Sequence, residues 1–111
     1  MTTKADQARL DAIHAMPCIC CQISGCEQLS RTEAHHLVDK GYREHSGGHQ
    51  ATLPICGWHH RGETPKGHTP ASATLTYGPS LFHTKKLFVI VYGNERALLA
   101  RVDQQIAMEV A

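Results

Sequence analysis

Apolar residues recur at helical spacing near both ends of the chain. Residues 3–15 carry alanines and an isoleucine on one face, behind Thr3, which is a residue that can cap a helix. Near the other end, leucine, valine and isoleucine side chains share one face of residues 95–108, directly after Asn94. A third helical pattern covers residues 81–92 and stops at a glycine. The pattern therefore predicts helices over these three ranges.

The middle of the chain is patterned differently. Residues 32–38 alternate loosely between apolar and polar side chains, and residues 52–55 form a second short segment of the same kind. Both are predicted as strands, joined by a glycine-rich polar loop over residues 39–50. A short helix is expected around residues 58–61. Residues 67–77 show no periodic pattern and predict no element.

The chain is expected to fold as one domain. Residues 22–31 are polar and are predicted as a loop, and no internal repeat or linker divides residues 1–111. Helices mixed with a short strand pair predict a small α+β fold. No apolar run approaches the ~20 residues that span a bilayer, and the first residues do not resemble a signal peptide. We therefore expect a cytoplasmic protein with no membrane partner.

The cysteines are spaced as metal ligands. In a cytoplasmic chain, cysteines are expected as ligands or thiols rather than disulfides. Cys18 and Cys21 are separated by two residues, as are Cys56 and His59, and this spacing lets a tight turn aim both side chains at one ion. Zinc held by these four would have no open position and would be structural. The remaining cysteines are interpreted as spare thiols, with a second zinc site as the alternative: Cys20 and Cys26.

The histidine content of the chain is unusually high. The chain has nine, and the predicted zinc site leaves His35, His36 and His60 close to it in sequence. Successive side chains of a regular strand point to opposite faces. His35 and His36 therefore share a centre only at a bulge or strand end, or else contact a reacting group from different directions. Neutral histidine suits general-base chemistry near neutral pH, so a metal-assisted hydrolase is the leading hypothesis.

A strand with adjacent histidines, a second strand and a Cys-x-x-His-His helix start resemble the HNH, or ββα-metal, nuclease family. The resemblance covers about residues 17–62. It implies that His36 is the general base that activates water. It also implies that His35 and His60 bind a catalytic ion, Mg²⁺ or Mn²⁺, distinct from the structural zinc.

One position departs from that family's pattern. The asparagine that orients the base usually stands five residues before the second knuckle cysteine, and Ala51 occupies that position here. The resemblance therefore implies that His49 or Gln50 replaces it through a shifted loop, or that the backbone orients His36.

A second resemblance covers more of the chain, about residues 16–103. The segments that carry it are Pro17-Cys18-Ile19-Cys20-Cys21, Glu33-Ala34-His35-His36-Leu37, His59-His60-Arg61-Gly62, Gly78-Pro79-Ser80, Phe88 and Tyr92-Gly93. These look like the bacteriophage Ref family, HNH endonucleases that cut DNA where a RecA filament has paired a strand. The resemblance implies a DNA endonuclease linked to phage or prophage recombination, with DNA and a RecA filament as partners.

Charge keeps two alternatives open. The formal net charge is +1, from eleven lysines and arginines against ten aspartates and glutamates, which is unlike a DNA-binding protein dominated by phosphate neutralisation. The competing class is therefore a non-catalytic zinc module that contacts DNA or RecA. The other alternative is an HNH enzyme of a different phage process, such as packaging or restriction.

Overall fold

The computed structural model describes residues 2–109 as an α+β fold, in which six helices surround a two-stranded sheet. Helix α1 spans Lys4–Ala15, and its N-cap is Thr3. The Thr3 hydroxyl accepts a hydrogen bond from the Asp6 amide, and the Asp6 carboxylate accepts one from the Thr3 amide, which forms a capping box. The prediction of a helix at this end is confirmed.

Helix α2, Ile19–Ser24, was not predicted. Cys18 caps its first turn through its sulfur, and Gly25 ends it with φ at 68°, a left-handed conformation that favours glycine. The predicted loop over residues 22–31 is therefore wrong in its first part. Six residues are too few to show helical periodicity in the sequence.

The two predicted strands pair as an antiparallel ribbon. Strand β1 is Thr32–His36 and strand β2 is Thr52–Cys56, with Thr32 opposite Cys56 and His36 opposite Thr52. The register is continuous, so no bulge interrupts β1. Strand β1 ends two residues earlier than predicted. The connecting loop closes with a 3₁₀ turn, Gly48–Gln50, which delivers the chain into β2.

Four further helices follow the ribbon. Helix α3, Gly57–Arg61, begins directly at the end of β2. Helix α4, Pro70–Tyr77, starts with proline after the capping residue Thr69 and lies in the stretch for which no element was predicted. Helices α5, Lys85–Tyr92, and α6, Glu95–Glu109, confirm the two predicted C-terminal helices, although α5 begins later than expected.

The core lies around β2, all five residues of which are buried. Helices α1, α2, α3 and α6 contact this strand or its partner. Ile13 comes from α1, Phe88 from α5, and Leu98 and Val102 from α6. The three cysteines predicted as zinc ligands belong to the same apolar cluster as Leu53 and Ile55 of β2, so the predicted metal site is part of the core. No helix in residues 2–109 is long and apolar enough to cross a membrane.

Candidate metal centre and histidine cluster

The four predicted zinc ligands meet in the core. The ligand atoms of Cys18, Cys21, Cys56 and His59 all lie within 4.8 Å of one another, and all four side chains are buried. Cys21 Sγ lies 3.8 Å from Cys56 Sγ, and His59 Nδ1 lies 3.3–3.7 Å from the three sulfurs. A tetrahedral zinc ion with ordinary bond lengths separates two sulfurs by about 3.8 Å and a sulfur from a nitrogen by about 3.6 Å. This Cys3His cluster is compatible with structural zinc.

Local chain geometry brings these ligands together. Cys18 caps α2 and Cys21 lies within that helix, whereas Cys56 ends β2 and His59 lies one turn into α3. The outer nitrogen of His59, Nε2, lies 2.7 Å from the Tyr77 carbonyl oxygen. An N–H donated to that carbonyl fixes the ring tautomer that leaves Nδ1 free for the ion.

The two remaining cysteines lie outside the Cys3His cluster. Cys20 is fully buried in the core, and Cys26 is partly buried with its thiol 3.5 Å from the Tyr77 carbonyl oxygen. Among residues 2–109, the Cys3His cluster is the one group of three or more ligand-type side chains close enough to hold an ion. The interpretation of Cys20 and Cys26 as thiols agrees with this arrangement.

His35 and His60 approach each other where β1 meets α3. Nδ1 of His35 lies 3.1 Å from Nε2 of His60, with the rings close to perpendicular. Two ligands on one edge of an octahedral magnesium site, with bonds of about 2.1 Å, stand about 3.0 Å apart. The spacing of this histidine pair, His35 and His60, therefore fits two neighbouring ligands of one ion. His59 and His60 are consecutive residues of α3; His59 belongs to the Cys3His cluster, and His60 belongs to the histidine pair.

Both rings of the histidine pair face carboxylates on their outer nitrogens. Nε2 of His35 lies 3.0 Å from Glu95, and Nδ1 of His60 lies 2.9 Å from Glu33. When each ring donates its outer N–H to its carboxylate, both inner nitrogens keep a lone pair. Two lone pairs 3.1 Å apart repel each other unless a proton or a metal cation lies between them. The arrangement is therefore suited to holding a positive charge at the point where the rings meet.

The carboxylates are kept ionised by their neighbours. Arg61 forms two-pronged hydrogen bonds to Glu33, and these hold the pKa of Glu33 below its ordinary value. The hydrogen bond to His35 does the same for the pKa of Glu95. Burial lowers the pKa of His60, which favours its neutral, ligand-competent form.

His36 lies in a second contact, away from the histidine pair. Because β1 is regular, its side chain points to the face opposite His35, and Nε2 of His36 lies 2.8 Å from Nδ1 of His49. The His49 carbonyl oxygen accepts a hydrogen bond from the buried Thr52 hydroxyl, which fixes the end of the loop. Burial, followed by the charge of Arg43, lowers the pKa of His36. His36 is the last residue of β1, and its ring contacts His49, whereas the ring of His35 contacts His60.

Gln50 is directed elsewhere. Its side-chain amide donates a hydrogen bond to Asp6 at the start of α1, 3.1 Å away. Ala51 is buried, and its carbonyl oxygen accepts from the Leu37 amide. The structure therefore brings His49 to His36 and leaves Gln50 apart from it.

Comparison with known families assigns the chain. The family described as recombination enhancement, RecA-dependent nuclease, matches residues 2–107. The chain belongs to this family. The match covers α1 to α5 and all but the last two residues of α6, and it includes every residue of the Cys3His cluster and of the histidine contacts. No solved structure matches the chain. The resemblance to Ref proteins is thus confirmed, and membership in the RecA-dependent nuclease family supports a nuclease function linked to recombination.

Glu33 and Glu95 were not predicted as site residues. Glu33 stands two positions before His35, so strand alternation places both side chains on one face, and that signal was available in the sequence. Glu95 lies 60 positions from its partner at the start of α6, and no sequence pattern connects the two.

Proposed function

We propose that this chain is an HNH-type, divalent-metal-dependent endonuclease that cuts RecA-bound DNA in phage or prophage recombination. The observation that carries the proposal is the histidine pair. Two nitrogens 3.1 Å apart, each backed by a carboxylate on the outer ring nitrogen, stand where β1 meets α3. Membership in a family of RecA-dependent nucleases supports the same conclusion. A single domain over residues 1–111 and a cytoplasmic location are part of this proposal.

The role of general base is assigned to His36. His36 takes a proton from water as the water oxygen attacks phosphorus, and the bond from phosphorus to the leaving sugar oxygen breaks. His49 holds one ring nitrogen, Nε2, so that Nδ1 faces the water. The lowered pKa of His36 keeps the ring neutral, as a base must be, at physiological pH.

The histidine pair is assigned to hold the ion that stabilises negative charge during cleavage. His35 and His60 would hold Mg²⁺ or Mn²⁺, which when bound neutralises charge on the phosphate and the leaving oxygen. Glu33 and Glu95 fix the tautomers of these ligands. The Cys3His cluster takes no part in bond breaking and holds α3 in place.

Charge favours a substrate delivered by a partner. The chain has a net charge of +1, and Arg61 and Arg96 are engaged by carboxylates. A groove of about 420 Å³ beside His49 carries Arg43 but also Asp6 and Glu44. Such a surface provides little phosphate neutralisation, so tight binding to free DNA is not expected. A RecA filament that presents the strand would remove the need for it.

The test is cleavage of plasmid and single-stranded DNA by the zinc-loaded chain, with and without RecA, across added Mg²⁺ and Mn²⁺. We expect cleavage to require both RecA and the added ion. The variant His36→Ala should fold, keep its zinc and cleave about 10²–10⁴-fold more slowly. If His36→Ala cleaves as fast as the parent, the assigned base is wrong. If the folded parent binds RecA or DNA but never cleaves, the non-catalytic zinc module replaces the nuclease.

A further inference from the structure

We infer that Glu95, at the start of α6, is a positioning residue that sets His35 in the ring tautomer needed to bind the catalytic ion. This inference rests on the proposed function. It brings into the metal site a helix that lies outside the strand–strand–helix unit formed by β1, β2 and α3.

The contact is specific and shielded. Glu95 Oε1 lies 3.0 Å from His35 Nε2, and the two side chains are only 16% and 11% exposed. Glutamate in the first turn of a helix is commonly explained by the helix dipole, which also stabilises a carboxylate that stays in water. The dipole does not require the carboxylate to be withdrawn from solvent against a histidine. The burial of Glu95 therefore indicates a role toward His35.

Helix α6 holds Glu95 at a defined position. Asn94 caps the helix by accepting a hydrogen bond from the Ala97 amide, 2.8 Å away. Arg96 binds Asp39 through two hydrogen bonds and donates to the Ser46 carbonyl oxygen. Leu98 and Val102 anchor the helix in the core. The carboxylate is thus presented by a clamped helix, as a positioning group requires.

The chemical consequence follows from the two tautomers of neutral histidine. With the proton on Nε2, His35 donates to Glu95 and directs the Nδ1 lone pair at the meeting point with His60. With the proton on Nδ1, the ring has no lone pair to offer an ion at that point. The carboxylate favours the first tautomer because its oxygen can accept a hydrogen bond from a protonated ring nitrogen, whereas an unprotonated ring nitrogen would repel it.

The experiment measures Mn²⁺ binding and the His35 tautomer in the zinc-loaded chain. Calorimetry would compare the parent with Glu95→Ala, with Glu95→Gln, which keeps an oxygen acceptor, and with Asp103→Asn. The last removes one negative charge from the same helix, at a carboxylate that pairs with Arg9 and not with His35, so it is matched for charge. Nitrogen NMR of the histidine side chains would report the tautomer without any substrate.

We expect Glu95→Ala to weaken Mn²⁺ binding about 10–100-fold and to lose the Nε2–H tautomer of His35. Glu95→Gln should recover most of the affinity, and Asp103→Asn should match the parent. A parent that binds no Mn²⁺ beyond its zinc would overturn the proposed function itself. A parent that binds, with Glu95→Ala unchanged in affinity and tautomer, would overturn only the role of Glu95. Equal losses in Glu95→Ala and Asp103→Asn would overturn it as well, since charge alone would then explain the effect.

Discussion

The Cys3His cluster and the histidine pair are neighbours along α3 but are built in opposite ways. The cluster takes two ligands from each of two short segments, buries all four, and closes the coordination of its ion with protein atoms. Under the proposed function, the pair would contribute two ligands and leave the rest of the catalytic ion's coordination to solvent and substrate. A closed set stabilises a fold, whereas chemistry needs an open one.

The difference also concerns how each site is held. Short-range turns at α2 and α3 hold the cluster. The pair depends on carboxylates that reach it from β1 and from α6, and the second of these comes from a distant part of the chain. Zinc loss should therefore unfold the molecule, and a change near the pair should alter the chemistry while the fold persists.

The largest effect is expected from breaking the Cys3His cluster. Structural zinc in small domains supplies about 10–16 kcal/mol of apparent binding free energy, which is comparable to or larger than the whole stability of a domain. Cys21→Ser should therefore yield a chain without zinc and without a cooperative thermal transition. Circular dichroism and metal analysis would measure both properties.

Cys26→Ser is the matched control for that experiment. Its thiol lies outside the cluster and donates to the Tyr77 carbonyl oxygen, and a serine hydroxyl can make the same hydrogen bond. This variant should keep one zinc per chain and its cooperative transition. A folded Cys21→Ser chain, or loss of zinc in Cys26→Ser, would contradict the assignment of ligands.

A smaller effect is expected from removing the contact that orients His36, the proposed general base. His49→Ala removes the side chain that contacts His36, and misplacing a catalytic group by about 1 Å can cost 10²-fold in rate. Gln50→Ala should lose less, because that side chain contacts Asp6 instead. Rates of DNA cleavage in the presence of RecA would be compared among the parent, His49→Ala and Gln50→Ala at equal zinc content.

His45→Ala is the matched control, because it removes a histidine from the same loop, and it should cleave at the parent rate. That ring contacts Tyr42 and does not touch His36. Should Gln50→Ala prove slower than His49→Ala, the loop places its amide at His36 during catalysis and the assignment to His49 is wrong.

The smallest effect is expected at the exposed ion pair between Asp39 and Arg96. The hydrogen bonds from Arg96 hold the pKa of Asp39 below its ordinary value. A carboxylate with a lowered folded-state pKa stabilises the fold above its unfolded-state pKa, and this stabilisation is lost as pH falls through the lowered value. Asp39→Asn should therefore lower the melting temperature slightly at neutral pH.

Acid should abolish that difference. As pH falls below the lowered pKa of Asp39 in the folded state, the melting temperatures of the parent and Asp39→Asn should converge. A gap that persists in acid would show that Asp39 acts through something other than its charge. Exposed pairs of this kind contribute far less than a buried metal site.

The features predicted correctly from the sequence are those that depend on residues close together along the chain. The four zinc ligands and the capped helix α1 follow from residues a few positions apart, and both are present. Helix α4 was missed because only Ala73 of that helix is buried, which leaves no apolar stripe to detect. Its start was nevertheless signalled by Thr69 and Pro70.

The histidine contacts were less accessible to prediction. Strand alternation left two arrangements open for His35 and His36, and the partner of each ring depends on how distant segments pack. The choice between His49 and Gln50 was set by the 3₁₀ turn, which directs one side chain to β1 and the next toward α1. Glu95 required the docked position of α6, which no local pattern encodes.

The adjacency of His59 and His60 has a consequence for how activity is switched on in a cell. Under the proposed function, one five-residue helix carries a ligand for zinc and a ligand for the catalytic ion. A newly made chain that has not acquired zinc cannot assemble the second site, whatever the supply of magnesium. The enzyme would be harmless to chromosomal DNA until it matures. For the same reason, inhibition by a chelator does not identify the catalytic ion, and only restoring magnesium to a chain that has kept its zinc separates the two requirements.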